Sequence, residues 1–242
     1  MDDWTTSHDR VLAQRHAEGW MFLIEAARNV RTTGAVAPSG KALAHALTGP
    51  VREQAPRPLD ILEAGSGTGA VTRALLTQLT PGSRLDVVEP NPRFAERLRH
   101  LTHRHPHLAG DPAQVRVHQS YLEELDTDRR YDVIVSGLPL TNFTPEQAET
   151  IMNRYLELLH PGGTLTYFAY LGTRRARRLV SSRAQSRRHH AVEEAVAHYR
   201  RRYATGCWTV WANLPPAKVW RLQRPTGPTP AAPPAQAADF TA

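Results

Sequence analysis

The sequence predicts an α/β domain on a mostly parallel, seven-stranded sheet whose last strand runs antiparallel, preceded by an amphipathic N-terminal helix. Three observations lead there. Short apolar runs alternate with stretches of helical periodicity between residues 59 and 170. A glycine-rich turn joins the first run to the first of those helices. Two final apolar runs are separated by Leu214-Pro215-Pro216, a link too short for a crossover and suited to an antiparallel pair.

Taken in order, residues 8–30 read as a helix, because Leu12, His16, Trp20, Leu23, Ala27 and Val30 recur at steps of three and four. Met21, Phe22 and Ile24 widen its apolar face. Pro38 or Ser39 can start a short helix through Leu43 and Leu47, and Pro50, Pro56 and Pro58 mark a linker. Strands are expected at 59–62, 85–88, 115–117, 131–135 and 164–170. Helices are expected at 68–79, around Phe94, Leu98 and Leu101, and at 145–159, with a turn at Pro161-Gly162-Gly163. Residues 173–203 form an arginine-rich helical stretch with a core-facing stripe of Val192, Ala195, Val196, Tyr199 and Tyr203. Strands at 207–213 and 217–222 close the fold. The chain thus divides into N-terminal helices over 1–50, a main domain over 51–223 and a Pro/Ala-rich tail over 224–242, expected to be disordered.

Composition narrows the function. A length of 242 residues with 40% hydrophobic content suits one α/β domain with a modest extra element. The apolar run Trp20 to Ile24 ends at Glu25, far short of a bilayer span. An acidic start, Met1-Asp2-Asp3-Trp4, is unlike a signal peptide, so a cytoplasmic location is expected. A single cysteine, Cys207, excludes an intramolecular disulfide and a cysteine-rich metal site, and it reads as a buried small apolar residue. His103, His105 and His107 alternate near Pro106 without a visible partner ligand and read as a solvated surface, so no metal site is expected. The net charge of +7 points towards nucleic acid, an anionic lipid surface or an acidic substrate.

The most informative motif is Glu63-Ala64-Gly65-Ser66-Gly67-Thr68-Gly69, between the first strand and its helix. Glycines let a backbone turn sharply and approach a ligand closely. Dinucleotide enzymes use G-x-G-x-x-G, where a helix N-terminus faces a pyrophosphate. The spacing here is G-x-G-x-G, with an acid two residues ahead, which suits a ligand that carries a positive amino group and no phosphate. Glu89, followed by Pro90, ends the second strand, where a carboxylate can accept both hydroxyls of a ribose. Pro161-Gly162-Gly163 precedes the fifth strand.

In this order, and with an antiparallel pair at the end, these elements resemble class I S-adenosylmethionine-dependent methyltransferases, a Rossmann-like family. The resemblance implies S-adenosylmethionine as cofactor, bound by Glu63, Gly65, Ser66, Gly67, Gly69, Glu89 and Pro90, with Ser136 at the end of the fourth strand. The family usually has a Gly-Asp pair after the third strand, and Ser120 stands where that acid would be, with Tyr121 next to the purine.

The acceptor side follows the fourth strand, at Ser136-Gly137-Leu138-Pro139-Leu140. Base-amine methyltransferases place an aromatic ring where this chain has Leu140, although Phe143 follows shortly. Gly34-Ala35-Val36-Ala37-Pro38-Ser39, Ser136 to Leu140 and Asn213-Leu214-Pro215-Pro216-Ala217 look like the bacterial phospholipid N-methyltransferases. Those enzymes methylate phosphatidylethanolamine and are related to ornithine-lipid N-methyltransferases and rRNA adenine dimethylases. The resemblance implies methyl transfer to a lipid head-group amine, with Leu138, Pro139 and Tyr170 at the acceptor and Pro38 and Ser39 closing the cofactor site. Phe143 is a second candidate for attracting a methylated cation.

Arg174, Arg175, Arg177 and Arg178, with Arg183, Arg187 and Arg188 beyond, pair with the apolar face around Trp20 to suggest docking on an anionic membrane, at the inner face. No base-stacking aromatics stand among these arginines, which argues against nucleic acid as partner. The alternatives are an rRNA adenine or other nucleic-acid N-methyltransferase, and a methyltransferase for a soluble small molecule.

Overall fold

The computed structural model describes residues 38–103, 105, 114–171 and 183–227; the helix expected at 8–30 and the arginines at 174–178 lie outside them. Seven strands form one sheet: β1 (Asp60–Ala64), β2 (Arg84–Val88), β3 (Val115–His118), β4 (Tyr131–Ser136), β5 (Leu159–Tyr170), β6 (Ala204–Val210) and β7 (Ala217–Gln223). Their spatial order is β3-β2-β1-β4-β5-β7-β6. The first five pair in parallel, and β7 runs antiparallel to both β5 and β6. The expected Rossmann-like α/β architecture is the one observed.

Both faces of the sheet are covered, which is why β1 and β4 are buried along nearly their whole length and not at alternate residues. On one face, α1 (Pro38–Leu47), α2 (Gly49–Gln54), α3 (Ala70–Leu76) and α4 (Pro92–His103) bring Leu43, Leu47, Val51, Leu75 and Leu98 against Ile61, Val87, Val133 and Val219. On the other, α5 (Pro145–Leu158) and α6 (Arg183–Tyr203) bring Ile151, Tyr155, Val192, Val196 and Tyr199 against Leu62, Ile134, Leu165 and Leu222. The stripe read from the sequence in the last helix is this second contact. Thr144 caps α5, accepting the Gln147 amide while the Gln147 side chain accepts the Thr144 amide.

Several elements differ from the sequence reading for local reasons. The first domain helix is shorter than 68–79, because Gly67 and Gly69 are left-handed, with φ of 51° and 80°, so the loop runs on to the start of α3. Pro50 does not sit in a linker. It lies in the first turn of α2, where a missing amide costs no helical hydrogen bond. Pro161-Gly162-Gly163 falls within β5 as an irregularity: the register jumps from Tyr131↔Leu159 to Val133↔Thr164. Gly162 and Gly163 there exchange backbone hydrogen bonds with Arg224, so sheet pairing continues one residue past the expected end of the domain.

Cys207 is exposed, not buried. It lies on β6, the outer strand of the sheet, which lacks a fully buried face. No described helix is long and apolar enough to cross a membrane.

Candidate functional site

The strand order turns at β1 and β4: the chain proceeds outward from β1 to β2 and β3, then returns to β4 on the other side. In open parallel sheets, ligands bind outside the carboxyl ends of the strands at such a point. The glycine loop leaves β1 there, and its three glycines all have positive φ, 74° at Gly65, 51° at Gly67 and 80° at Gly69. A Cβ on Gly65 would stand 2.3 Å from Leu138 Cδ2, and one on Gly137 would stand 2.4 Å from the Gly65 carbonyl. The loops after β1 and β4 therefore touch through backbone, and Gly137 donates its amide to Ala64 at 2.8 Å. Around the Cβ position of Gly67 nothing lies within 4 Å, so that glycine borders open space.

Glu89 is buried at the end of β2 and holds this loop. Its Oε2 accepts the Gly67 amide at 2.8 Å and its Oε1 accepts the Asn91 amide at 2.9 Å. Asn91 in turn caps α4, its Oδ1 accepting the amides of Arg93 and Phe94. Each carboxylate oxygen keeps a second lone pair for a hydroxyl ligand. Burial pushes the Glu89 carboxyl above the usual carboxylate range, and the two amides pull it back in part.

Beside it, Glu63 is 1% exposed; its oxygens make no hydrogen bond of full geometry, although the Thr72 and Ser66 hydroxyls lie close enough to favour its charge. These two further buried oxygens, Ser66 Oγ and Thr72 Oγ1, make none of full geometry either. Burial pushes Glu63 up to about 7, partly offset by the nearby Thr72 and Ser66 hydroxyls, with the Glu89 charge adding to the rise. Buried polar groups are satisfied in the great majority of folded proteins. Four such oxygens, on three side chains, together at the mouth of a glycine loop mark a place for a polar, cationic ligand group. At the end of β3, Ser120 Oγ is a further buried oxygen without a partner, and burial raises the neighbouring Tyr121 hydroxyl.

The other residues singled out in the sequence fall into two groups. Pro90 and Pro139 are half-buried on the same edge, and Tyr170 is exposed at the end of β5. Leu138 and Ser136 are turned inward. Leu138 packs on Gly65, while Ser136 Oγ accepts the Tyr155 hydroxyl at 2.7 Å and the Leu138 amide at 3.2 Å. Pro38 and Ser39 form the first turn of α1, and their side chains lie outside the described residues. Phe143, expected as a second cation-attracting ring, is in the hydrophobic core together with Leu140. Leu140 opens the short helical turn Leu140–Asn142, which packs against α6, and Phe143 follows it.

Sequence reasoning missed Thr72 and Asn91, and gave Gly137 no role of its own within the segment Ser136 to Leu140. Asn91-Pro92 had a readable signal, the cap-then-proline pattern of a helix start. Thr72 offered only a polar residue on an otherwise apolar helix face, and Gly137 none.

Residues 62–165 match the family model of a methyltransferase domain. The chain is 29% identical over 104 residues to an ornithine lipid N-methyltransferase of Singulisphaera acidiphila, a match that covers 43% of this chain and 54% of that protein. It thus spans about half the length of this curated relative. Among solved structures, it resembles the N-methyltransferase NodS of Bradyrhizobium japonicum in complex with S-adenosyl-L-homocysteine, at TM-score 0.55 and 19% identity, covering 78% of this chain and 89% of that one. It also resembles the 1,6-didemethyltoxoflavin-N1-methyltransferase of Burkholderia thailandensis, at TM-score 0.56 and 21% identity, covering 90% of each chain. The chain has the Rossmann-like methyltransferase fold, and the stretch that matches the methyltransferase-domain model, residues 62–165, carries the glycine loop, Glu89 and the turn after β4.

Proposed function

We propose that this protein transfers methyl groups from S-adenosylmethionine to the head-group amine of a membrane lipid, phosphatidylethanolamine or its methylated intermediates, at an anionic membrane surface. The observation that carries the cofactor assignment is the buried Glu63 carboxyl, which has the Ser66 and Thr72 hydroxyls beside it and no cationic partner among the described residues. A methionyl ammonium satisfies that site, and the loop between Gly65 and Gly69 offers no side chain to obstruct it. Glu89 keeps acceptor capacity for two ribose hydroxyls, and the buried Ser120 Oγ, two residues past β3, supports a contact with the adenine amine.

Bound S-adenosylmethionine supplies an electrophilic methyl group on sulfur. The chain's own residues then position the acceptor and exclude water, and no nucleophilic side chain is needed. A primary amine is mostly protonated at neutral pH. The half-buried Pro139 and the ring of Tyr170 give it partly apolar surroundings, which lower its pKa. An aromatic face also attracts a methylated ammonium by about 0.5–2 kcal/mol.

Support for a lipid acceptor comes from the ornithine lipid N-methyltransferase relative and from the Pro38-Ser39, Leu138-Pro139 and Leu214-Pro215-Pro216-Ala217 segments. Burial of Leu140 and Phe143 leaves the turn after β4 without a ring to stack on a base, which disfavours a nucleic-acid acceptor. The test is transfer of labelled methyl groups into vesicles of phosphatidylethanolamine and phosphatidylglycerol, beside rRNA and soluble-amine controls. Label in the lipid, lost in Glu89→Ala, is expected. Label in RNA or only in the soluble amine overturns the lipid reading.

A further inference from the structure

Among the described residues, three large hydrophobic side chains are exposed: Tyr170 at 39%, Trp211 at 74% and Leu214 at 81%. Single exposed apolar residues are ordinary on a protein surface. These three are adjacent in the fold. Trp211 and Leu214 belong to the turn 211–216 between β6 and β7, and Tyr170 is the register partner of Ala217, where β7 begins.

The turn is held from inside. Asn213 is buried; its amide donates to Val210 and its Nδ2 donates to the Pro215 carbonyl at 2.7 Å. Leu171 donates its amide to Pro216 at 2.6 Å, tying the turn to the end of β5. Tyr170 is braced edge-on by Phe168, whose ring centroid is 5.0 Å away. The turn's polar Asn213 is therefore inside and its apolar Trp211 and Leu214 are outside, the inverse of a turn built for water.

Because β7 is antiparallel to β5, this turn lies on the same edge of the sheet as the carboxyl ends of β1 and β4. β7 is three strands from β1, roughly 14 Å at the usual spacing between strands. We propose that Trp211 and Leu214, with Tyr170 beside them, insert into the interface of an anionic lipid bilayer and present the methyl-transfer edge of the sheet to it. Charge selects this occupant. The chain carries a net +7, and Lys218 lies one position beyond the Tyr170–Ala217 pair. That balance includes Arg174, Arg175, Arg177 and Arg178, which follow Leu171 in the sequence. Tryptophan is the side chain most at home at the head-group level, and basic residues add attraction to anionic lipid.

This inference rests on the lipid reading above and gives it a mechanism: a head group reaches the site without its lipid leaving the bilayer. The test compares the full chain with Trp211→Ser/Leu214→Ser. Vesicles of phosphatidylethanolamine and phosphatidylglycerol with a brominated phosphatidylcholine report binding, and the share of tryptophan quenching that the double variant loses reports insertion of Trp211, one of five tryptophans in the chain. Short-chain phosphatidylethanolamine below its micellar concentration serves as a soluble acceptor.

The double variant is expected to bind vesicles on the order of tenfold more weakly and to lose quenching. It should keep its affinity for S-adenosylhomocysteine and its rate on the soluble acceptor, and wild-type binding should weaken when phosphatidylglycerol is replaced by neutral lipid. A double variant that binds and is quenched like wild type overturns the insertion while leaving a lipid acceptor standing. Wild-type binding that depends on Trp211, with no label in any lipid, supports the insertion and sinks the acceptor reading instead.

Discussion

The Glu89 carboxylate holds the Gly67 amide at 2.8 Å and the Asn91 amide at 2.9 Å, so one buried side chain fixes both the glycine loop and the start of α4. Hydrogen bonds to a charged group contribute about 1.5–3 kcal/mol each. Glu89→Ala removes both and leaves two inner amides without their acceptor. Affinity for S-adenosylhomocysteine should fall by about two orders of magnitude in isothermal titration. An affinity within a factor of about two of wild type would mean that Glu89 neither holds the loop nor meets the ligand.

Glu63 gives the site a pH dependence with a definite sign. Its carboxyl is raised by burial to about 7, above its value in an unfolded chain. It therefore contributes stability to the ligand-free protein at low pH, and that contribution is lost as pH rises from the unfolded value through 7. Above pH 7, Glu63→Gln should be the more stable protein by on the order of 3 kcal/mol, measured by urea unfolding. A cationic ligand favours the ionised form, so wild-type affinity for S-adenosylmethionine should drop close to tenfold per unit below pH 7. In Glu63→Gln that slope should vanish, together with much of the affinity.

Gly67 and Gly137 should respond differently to the same substitution. Gly137→Ala drives a Cβ to within 2.4 Å of the Gly65 carbonyl, a backbone atom that cannot turn aside. It should destabilise the fold by about 1–3 kcal/mol. Gly67→Ala meets no atom within 4 Å and carries only the strain of its positive φ, about 1 kcal/mol. Its added methyl stands in the space left for the ligand, so it should weaken cofactor binding far more than it lowers the unfolding midpoint.

Asp86 is the buried hub that joins three strands at the other end of this face. It accepts His118 Nε2 at 2.8 Å, the Tyr131 hydroxyl at 3.0 Å and Arg129 at 3.2 Å. Burial pushes its carboxyl up, but the His118 and Tyr131 hydrogen bonds and the His118 and Arg129 charges hold it below the usual range. A depressed carboxylate stabilises above its unfolded pKa, and that stability is lost as pH falls through the folded value. Asp86→Asn should cost about 3 kcal/mol at neutral pH and flatten the acid limb of the stability profile, read by thermal melts between pH 3 and 7.

The sheet, its order of elements and the glycine loop were legible in the linear chain. Apolar runs of strand length, helical periodicity between them and left-handed positions that favour glycine are local properties, written within a few residues of one another. Glu63 and Glu89 could be picked out as candidates for the same reason, since each sits at a fixed place near the end of a strand. Burial was not legible. Cys207 and Phe143 have similar apolar character on paper, yet one lies on the outer strand of the sheet and the other in the core cluster between the sheet and its helices, because exposure depends on which elements cover a residue and not on the residue. Only the tertiary structure turned Ser136 inward to Tyr155 and gathered Glu63, Ser66 and Thr72 into one group of buried oxygens. It alone brought Trp211 and Leu214 beside Tyr170, since β7 joins residues more than forty positions apart through the antiparallel pairing with β5.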